Sequence, residues 1–501
     1  MASTRRALWH NRSVPITELD RDACYRALCA HDARFDGRFF TAVRTTKVYC
    51  RPICPARTPK LENCIFVRSA AEAHQLGFRP CLRCRPEIAP GVAAWTGTAS
   101  SVTRALALIA EGGLDDDDVD AFAVRLGVGS RHLRRLFARH LGASPLAVAR
   151  TRRILFAKQL ITQTALPMAD VGLAAGFGSV RRFNDVIRQT YGRAPRELRR
   201  TALATPVSTS TGVTLQLAFR PPYDWASFIA FMTPRATPGV EIVEPHRYCR
   251  TVEFGDARGR IDVRPVNGKH HLLATIEISQ VTALAPVAAR IRRLLDLDAD
   301  AVSIDEHLAH DGFASHVASR PGVRIPGAWD DFELAVRAIL GQQVSVAAAT
   351  TLAGRLVAAF GRTLDDRREP ARLFPTPRVL ADADIGAIGL PRARANAIAA
   401  LARALCADPT LLRSADSLEA TIERLCRLPG IGAWTAQYIA MRALHEPDAF
   451  PATDLGLLRA SQTEAARPTP AFLLASAERW RPWRAYAAMR LWLQGAAAEA
   501  S

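Results

Sequence analysis

Two sets of residues in this 501-residue chain have the types and spacing that chemistry needs. The first is a pair of cysteine pairs, Cys50-Arg51-Pro52-Ile53-Cys54 and Cys81-Leu82-Arg83-Cys84. Four thiolates in two close pairs read as a tetrahedral zinc site with Cys50, Cys54, Cys81 and Cys84 as ligands. One Zn²⁺ there would supply folding energy that a small domain lacks. Cys24, Cys29 and Cys64 have no such spacing and read as buried or incidental. The second set lies in LCRLPGIGAWTAQYIAMRALHEPDAFPATD, from Leu425 to Asp454. Gly430 and Gly432 form a tight turn between two segments with apolar residues at helical spacing, a helix-hairpin-helix. Both glycines are expected to adopt backbone angles closed to other residues and to expose amides where a phosphate oxygen binds. Trp434 and Tyr438 lie four apart and share a helix face. Asp454 precedes the apolar run Leu455, Leu457, Leu458, where a carboxylate can cap the helix with one oxygen and face a pocket with the other.

The elements that position these groups must be several domains, because 501 residues exceed what one core organises. The formal charge of +18 is carried mostly by arginine and points to nucleic acid as the partner. No apolar run approaches the length that spans a bilayer, so no membrane association is expected and the chain reads as cytosolic. Ten cysteines in a reducing compartment indicate metal or reactive thiols rather than disulfides.

The fold class is multidomain and mainly α. A small α/β zinc domain occupies 1–90, with Phe35, Phe39, Phe40, Val43 and Val48 as its core. A helix-turn-helix pair occupies 100–200. Its units read Val119 to Leu126, a Gly127-Val128-Gly129 turn and a helix from Ser130; then Met168 to Ala175, a Gly176-Phe177-Gly178 turn and a helix from Ser179. Ser130 and Ser179 are each expected to cap a recognition helix, leaving Arg131, His132, Arg181 and Arg182 to face the major groove. After a Ser/Thr/Ala-rich linker at 201–211, period-two stretches predict a small antiparallel α+β domain over 212–285. An all-α helix-hairpin-helix domain follows over 286–497.

The residues that carry a family resemblance are specific. VRTTKVYCRPICPARTP with NCIFVRSAAEAHQLGFRPCLRC resembles the N-terminal domain of Ada-type adaptive-response regulators. The paired units ending in FNDVIRQTYGRAPRELRR resemble AraC-type regulators, and LPGIGxWTAxY followed by FPxxD resembles the AlkA-like (3-methyladenine DNA glycosylase II) class. Together they cover about residues 17 to 495. The first resemblance implies that Cys50 accepts a methyl group from a DNA methyl phosphotriester, with Arg44 and Thr45 in its DNA-facing context. Because methylation removes negative charge near DNA phosphate, it would switch DNA affinity.

The second implies sequence-specific activation of transcription, with RNA polymerase as a partner. The third implies monofunctional excision of N3- and N7-alkylated purines from double-stranded DNA by a monomer in the bacterial nucleoid. Asp454 would act at the sugar, Trp434, Tyr438 and Trp492 would line the base pocket, and Gln343 would take the place of the family's apolar wedge. The Pro-Cys-His-Arg acceptor of the wider Ada family is missing, so O6-methylguanine repair is not expected. An amine nucleophile after the turn and the cysteines of an iron–sulfur cluster are missing too. Two alternatives stand beside this reading: a regulator whose glycosylase fold has become a DNA-holding platform, and a zinc module that is purely structural.

Overall fold

The structure, a computed structural model, describes residues 19–91, 99–115, 118–200, 212–364, 368–415, 417–462 and 467–500. The 201–211 linker and the first eighteen residues lie outside these ranges. Among the described residues no helix is long and apolar enough to cross a membrane.

The zinc module holds strands β1 (Phe40–Val43), β2 (Val48–Cys50), β3 (Cys64–Val67) and β4 (Arg79–Pro80), with helices α1 (Arg21–Cys29) and α2 (Ala70–Gln75). The sheet order is β3-β1-β2-β4, and β4 runs parallel to β2. That register brings the two cysteine pairs together, since Cys50 ends β2 and the Cys81 amide, just past β4, donates to Tyr49 O at 3.0 Å. Phe39, Phe40 and Val43 are buried as expected, whereas Phe35 and Val48 stand at the margin of the core.

Next come α3 (Ala99–Ala110), α4 (Val119–Arg125), α5 (Ser130–Leu141), α6 (Pro145–Gln163), α7 (Met168–Ala174), α8 (Val180–Tyr191) and α9 (Pro195–Arg200). The long α6 joins the two helix-turn-helix units. Ser179 caps α8, its hydroxyl accepting from the Arg182 amide at 3.2 Å. The matching expectation for Ser130 is corrected. Gly129 occupies the N-cap, extended at φ −71° and ψ 142° with no side-chain cap bond, and Ser130 is already the first residue of α5. The first recognition helix therefore starts one residue early and dispenses with a hydroxyl cap.

A five-stranded antiparallel sheet follows, made of β5 (Val213–Ala218), β6 (Glu241–Glu244), β7 (Arg247–Phe254), β8 (Ala257–Pro265) and β9 (His271–Ile278), in the order β5-β9-β8-β7-β6. Helix α10 (Trp225–Met232) lies between β5 and β6. Beyond the sheet run α11 (Leu284–Leu294), α12 (Ala301–Leu308), α13 (Ala314–Ser319), α14 (Asp331–Leu340), α15 (Val346–Phe360), α16 (Pro377–Ala381) and α17 (Arg392–Ala407). The hairpin is α18 (Leu418–Cys426) and α19 (Ala433–Arg442), followed by α20 (Leu455–Ala460), α21 (Pro470–Ala477) and α22 (Arg484–Ala500).

Two cores meet at α19. One runs from Phe183 and Ile187 of the second helix-turn-helix through Leu215, Leu217 and Ile276 of the sheet to Met441, Leu457 and Met489. The other packs Leu334, Ile339, Ile398 and Leu425 against Ile431, Ala436 and Ile439. Burying large apolar side chains on both faces fixes α19 against sliding or rotation.

The zinc module is fastened to the sheet domain by buried polar groups. Arg220 is 1% exposed and donates to Asp36 O at 2.8 Å, to Asp298 O at 2.5 Å and to Gly91 O. Arg38 pairs with Asp300, and Lys158 of α6 pairs with Glu87 at 3.2 Å. The outer edge of β5 is capped by α6: the Gln159 side chain donates to Gln216 O at 3.0 Å, and the Gln216 amide donates to Gln163 Oε1 at 2.8 Å. An edge strand left open would offer those groups to another chain.

Candidate active site and metal centre

The four Sγ atoms of Cys50, Cys54, Cys81 and Cys84 all lie within 4.8 Å of one another, and Cys54 and Cys81 are 4.0 Å apart. Tetrahedral zinc with Zn–S near 2.3 Å sets sulfurs about 3.8 Å apart, so the four residues fit the ion. Backbone amides of Arg51 and Arg83 point at Cys84 Sγ (3.3 Å) and Cys81 Sγ (3.4 Å), as expected for sulfurs that carry negative charge. Arg51 itself is 5% exposed; it pairs with Asp36 and donates to Cys84 O at 3.1 Å. The centre is asymmetric. Cys54, Cys81 and Cys84 are buried while Cys50 is only half-buried, the least covered residue of the four. Arg44 and Thr45 are exposed in the β1–β2 turn. Cys24 and Cys64 are buried outside the centre and Cys29 is exposed.

The second site assembles on α19, the loop before α20, and α22. The Trp434 and Tyr438 rings stack, with centroids 5.5 Å apart and planes 13° from parallel. Trp492 meets Tyr438 edge-on at 6.1 Å. Asp454 caps α20, its Oδ1 accepting from the Leu457 amide at 3.0 Å. The same Oδ1 accepts from the indole Nε1 of Trp492 at 2.8 Å, and Oδ2 accepts from the indole Nε1 of Trp434 at 2.8 Å. Gly456 permits this approach, because a Cβ there would stand 3.0 Å from Asp454 Oδ1 and 3.3 Å from the Trp492 ring. A carboxylate offers about four lone-pair sites. Three are filled by described residues, leaving roughly one open.

Gly430 has φ +78° as the turn requires, but Gly432 is corrected: at φ −91° and ψ 177° it is an ordinary extended N-cap of α19. Both are exposed, and a Cβ at 432 would meet nothing within 4 Å, so the turn faces open space there. Gln343 is exposed in a left-handed conformation at φ +56° on the loop between α14 and α15, and its side chain bonds to no described residue. Its neighbour Gln342 is the one tied to the hairpin, donating to Gly430 O at 2.8 Å and Thr435 Oγ1 at 2.9 Å. In the helix-turn-helix pair, Arg131, His132, Arg181 and Arg182 are exposed at the starts of α5 and α8.

Four family models divide the chain: the metal-binding domain of Ada over residues 23–87, a helix-turn-helix domain over 122–201, the AlkA N-terminal domain over 214–330, and the HhH-GPD superfamily of base excision DNA repair proteins over 336–484. A protein of Mycobacterium tuberculosis described as a probable bifunctional transcriptional activator/DNA repair enzyme AlkA is 42% identical over 478 residues, spanning 94% of this chain and 96% of its own length. The chain belongs to this bifunctional AlkA family. Its C-terminal part is also 38% identical over 283 residues to the DNA-3-methyladenine glycosylase 2 of Escherichia coli, covering 55% of this chain and 95% of that protein. The 3-methyladenine DNA glycosylase of Archaeoglobus fulgidus shares the fold, with TM-score 0.51 and 21% identity over 56% of this chain and 98% of its own.

Within this AlkA-family chain, sequence reasoning passed over three residues beside the aromatic cluster. Phe231 of α10 packs against Trp492 at 6.0 Å, a contact between domains that no local spacing announces. Arg442 donates to Tyr438 Oη at 2.7 Å; it follows Tyr438 by four residues, as Tyr438 follows Trp434, and that spacing was a readable signal. Arg235 sits over the Phe231 ring at 3.9 Å. Burial raises the Tyr438 phenol, but Arg442 and Arg235 beside it outweigh burial and hold it below its ordinary value.

Proposed function

We propose that Asp454, held between the indoles of Trp434 and Trp492, carries out monofunctional hydrolytic excision of alkylated purines, and that Cys50 accepts methyl groups from DNA phosphotriesters. The chain is a DNA alkylation-repair protein combining glycosylase, zinc-binding and helix-turn-helix domains with transcription activation. Its partner is DNA. The observation that carries the glycosylase reading is the doubly indole-bonded carboxylate facing an aromatic wall.

A 3-methyladenine or 7-methylguanine nucleotide rotated out of the duplex stacks its positive base on the wall formed by Tyr438, Trp434 and Trp492. The glycosidic bond then breaks with its electron pair on the base, and the positive sugar carbon meets Asp454, which also orients the attacking water. Neither indole can take up a proton from the carboxylate, so both serve to aim its oxygens. The exposed Gly430 and Gly432 amides suit the DNA backbone, with Gln343 beside the vacated stack. At the other centre, Cys50, Cys54, Cys81 and Cys84 would hold a zinc ion, which would keep their sulfurs as thiolates. The Cys50 sulfur attacks the phosphotriester methyl carbon, an S–C bond forms, and the C–O bond breaks to leave a phosphodiester anion. Arg131, His132, Arg181 and Arg182 would read or grip a promoter, with RNA polymerase recruited there. Domains of 1–90, 100–200, 212–285 and 286–497, a monomeric state and a cytoplasmic, nucleoid location complete the reading.

The deciding experiment measures release of free 3-methyladenine and 7-methylguanine from methylated duplex DNA by the native chain and by Asp454→Asn. Asn also caps helices well, so folding is retained. We expect release to fall about a thousandfold in the variant. A folded native chain that binds DNA yet releases no base would overturn the enzymatic reading in favour of a regulator.

A further inference from the structure

The aromatic wall has charge behind it. Arg442 is 3% exposed, and its guanidinium lies 5.5 Å from the Tyr438 ring centroid and 5.0 Å from that of Phe231. Its hydrogen bonds go to Tyr438 Oη, Pro326 O, Gly327 O and the Met232 sulfur, with no carboxylate among them. Arg235 donates to Phe231 O and lies over the Phe231 ring, likewise without a carboxylate among the described residues. Neighbouring arginines are treated differently: Arg337 pairs with Glu241 at 3.1 Å and Arg250 with Glu333 at 2.7 Å. Two cations that hydrogen-bond no carboxylate thus stand beside Tyr438 and Phe231, with Glu241 and Glu333 lining the same cavity as Arg442 but paired with other arginines, while the Asp454 carboxylate is attached to Trp434 and Trp492.

We propose that Arg442, assisted by Arg235, is a positioning residue for base departure that acts through the Tyr438 and Phe231 rings to drive positive charge from the bound base toward the sugar beside Asp454. This rests on the pocket assignment above. When the glycosidic bond of a cationic alkylpurine breaks, its electron pair stays with the base: the base becomes neutral and the sugar carbon becomes positive. When a neutral base leaves, the base becomes anionic and the sugar again becomes positive. In both cases the base loses one unit of charge, so a fixed cation behind it favours the transition state over the bound substrate. Only the cationic substrate is opposed in the ground state. A base on the open face of the wall would lie about 9 Å from the Arg442 charge and the sugar carbon a few ångströms farther; at an effective dielectric near 20 the two opposed terms leave roughly two- to threefold on the release step, while the ground-state opposition to a cationic base is about tenfold.

The test uses the full-length zinc-loaded chain in single-turnover release from duplexes containing 7-methylguanine, a cation, or hypoxanthine, a neutral purine. Arg442→Met should slow the release step about two- to threefold for both bases. Half-saturation should shift about tenfold toward tighter binding for 7-methylguanine alone. Arg442→Lys, which keeps the charge, should recover most of both effects. Arg235→Gln should tighten half-saturation for 7-methylguanine by about threefold, again with hypoxanthine unchanged, and serves as the probe if Arg442→Met does not fold. Equal slowing with unchanged half-saturation for both bases, or a lysine variant that behaves like methionine, would overturn the proposal and leave Arg442 a packing residue. The pocket assignment fails separately: in that case Asp454→Asn would release 7-methylguanine as fast as the native chain.

Discussion

The two reactive centres of this chain are built in opposite ways. The thiolate centre is local: its four ligands lie within 35 residues, converge through one parallel register between β2 and β4, and form a cluster of their own in a module with a small apolar core. The aromatic centre is assembled from segments as distant as Phe231 and Trp492, and its shape is set by the two large cores that clamp α19. A local site whose sulfurs repel one another needs an ion to hold it, whereas a dispersed site is held by packing already present. The first should fail all at once when the ion or one ligand is lost. The second should fail by degrees.

Substitutions at the two centres sharpen that contrast. Cys50→Ser should abolish methyl transfer outright while base release stays within about threefold of native; mass spectrometry of the chain after exposure to phosphotriester DNA reads the first and a glycosylase assay the second. A variant still methylated at the centre would refute the placement of Cys50. Asp36→Ala leaves Arg51 and its guanidinium buried without their counter-charge, and should cost about 3 kcal/mol of stability in chemical denaturation. A loss below about 1 kcal/mol would mean that the Arg51 guanidinium does not depend on Asp36 for its counter-charge.

Trp434→Phe keeps the ring stack and removes one N–H from Asp454. Base release should fall roughly tenfold, far less than for Asp454→Asn. A fall as large as that of Asp454→Asn would show that the indole does more than orient. The smallest effect separates the two helix-turn-helix units: Ser179→Ala should cost about 1 kcal/mol through its lost cap, and Ser130→Ala close to nothing. Equal costs would place a hydroxyl cap on both helices.

The same contrast governs what could be read from sequence. Cysteine pairs declare themselves by spacing, because a metal dictates ligand type and distance. Trp434 and Tyr438 declared a shared helix face, and Asp454 before an apolar run declared a cap. The bonds from two indoles to that one carboxylate depend on where α22 packs, and Phe231 depends on how α10 meets it; neither is a local property. Ser130 was misassigned as a cap because the extended conformation of Gly129 starts the helix one residue earlier, a choice of backbone that serine and glycine both tolerate. Gly432 was assigned a strained backbone where only open space is required. Gln342 escaped notice since its role is a hydrogen bond across to the hairpin turn, 88 residues on.

The capping of β5 by α6 also bears on synthesis. The ribosome delivers Gln159 and Gln163 before it delivers β5, and β5 before β9, the strand that closes its other edge. At roughly 5–20 residues per second, the wait between the end of β5 at Ala218 and the end of β9 at Ile278 is about 3–12 seconds. Throughout that interval an unpaired, half-apolar strand beside the ribosome would be open to neighbouring nascent chains. Gln159 and Gln163 precede β5 in the chain, so the groups that cover its outer edge exist before the strand does.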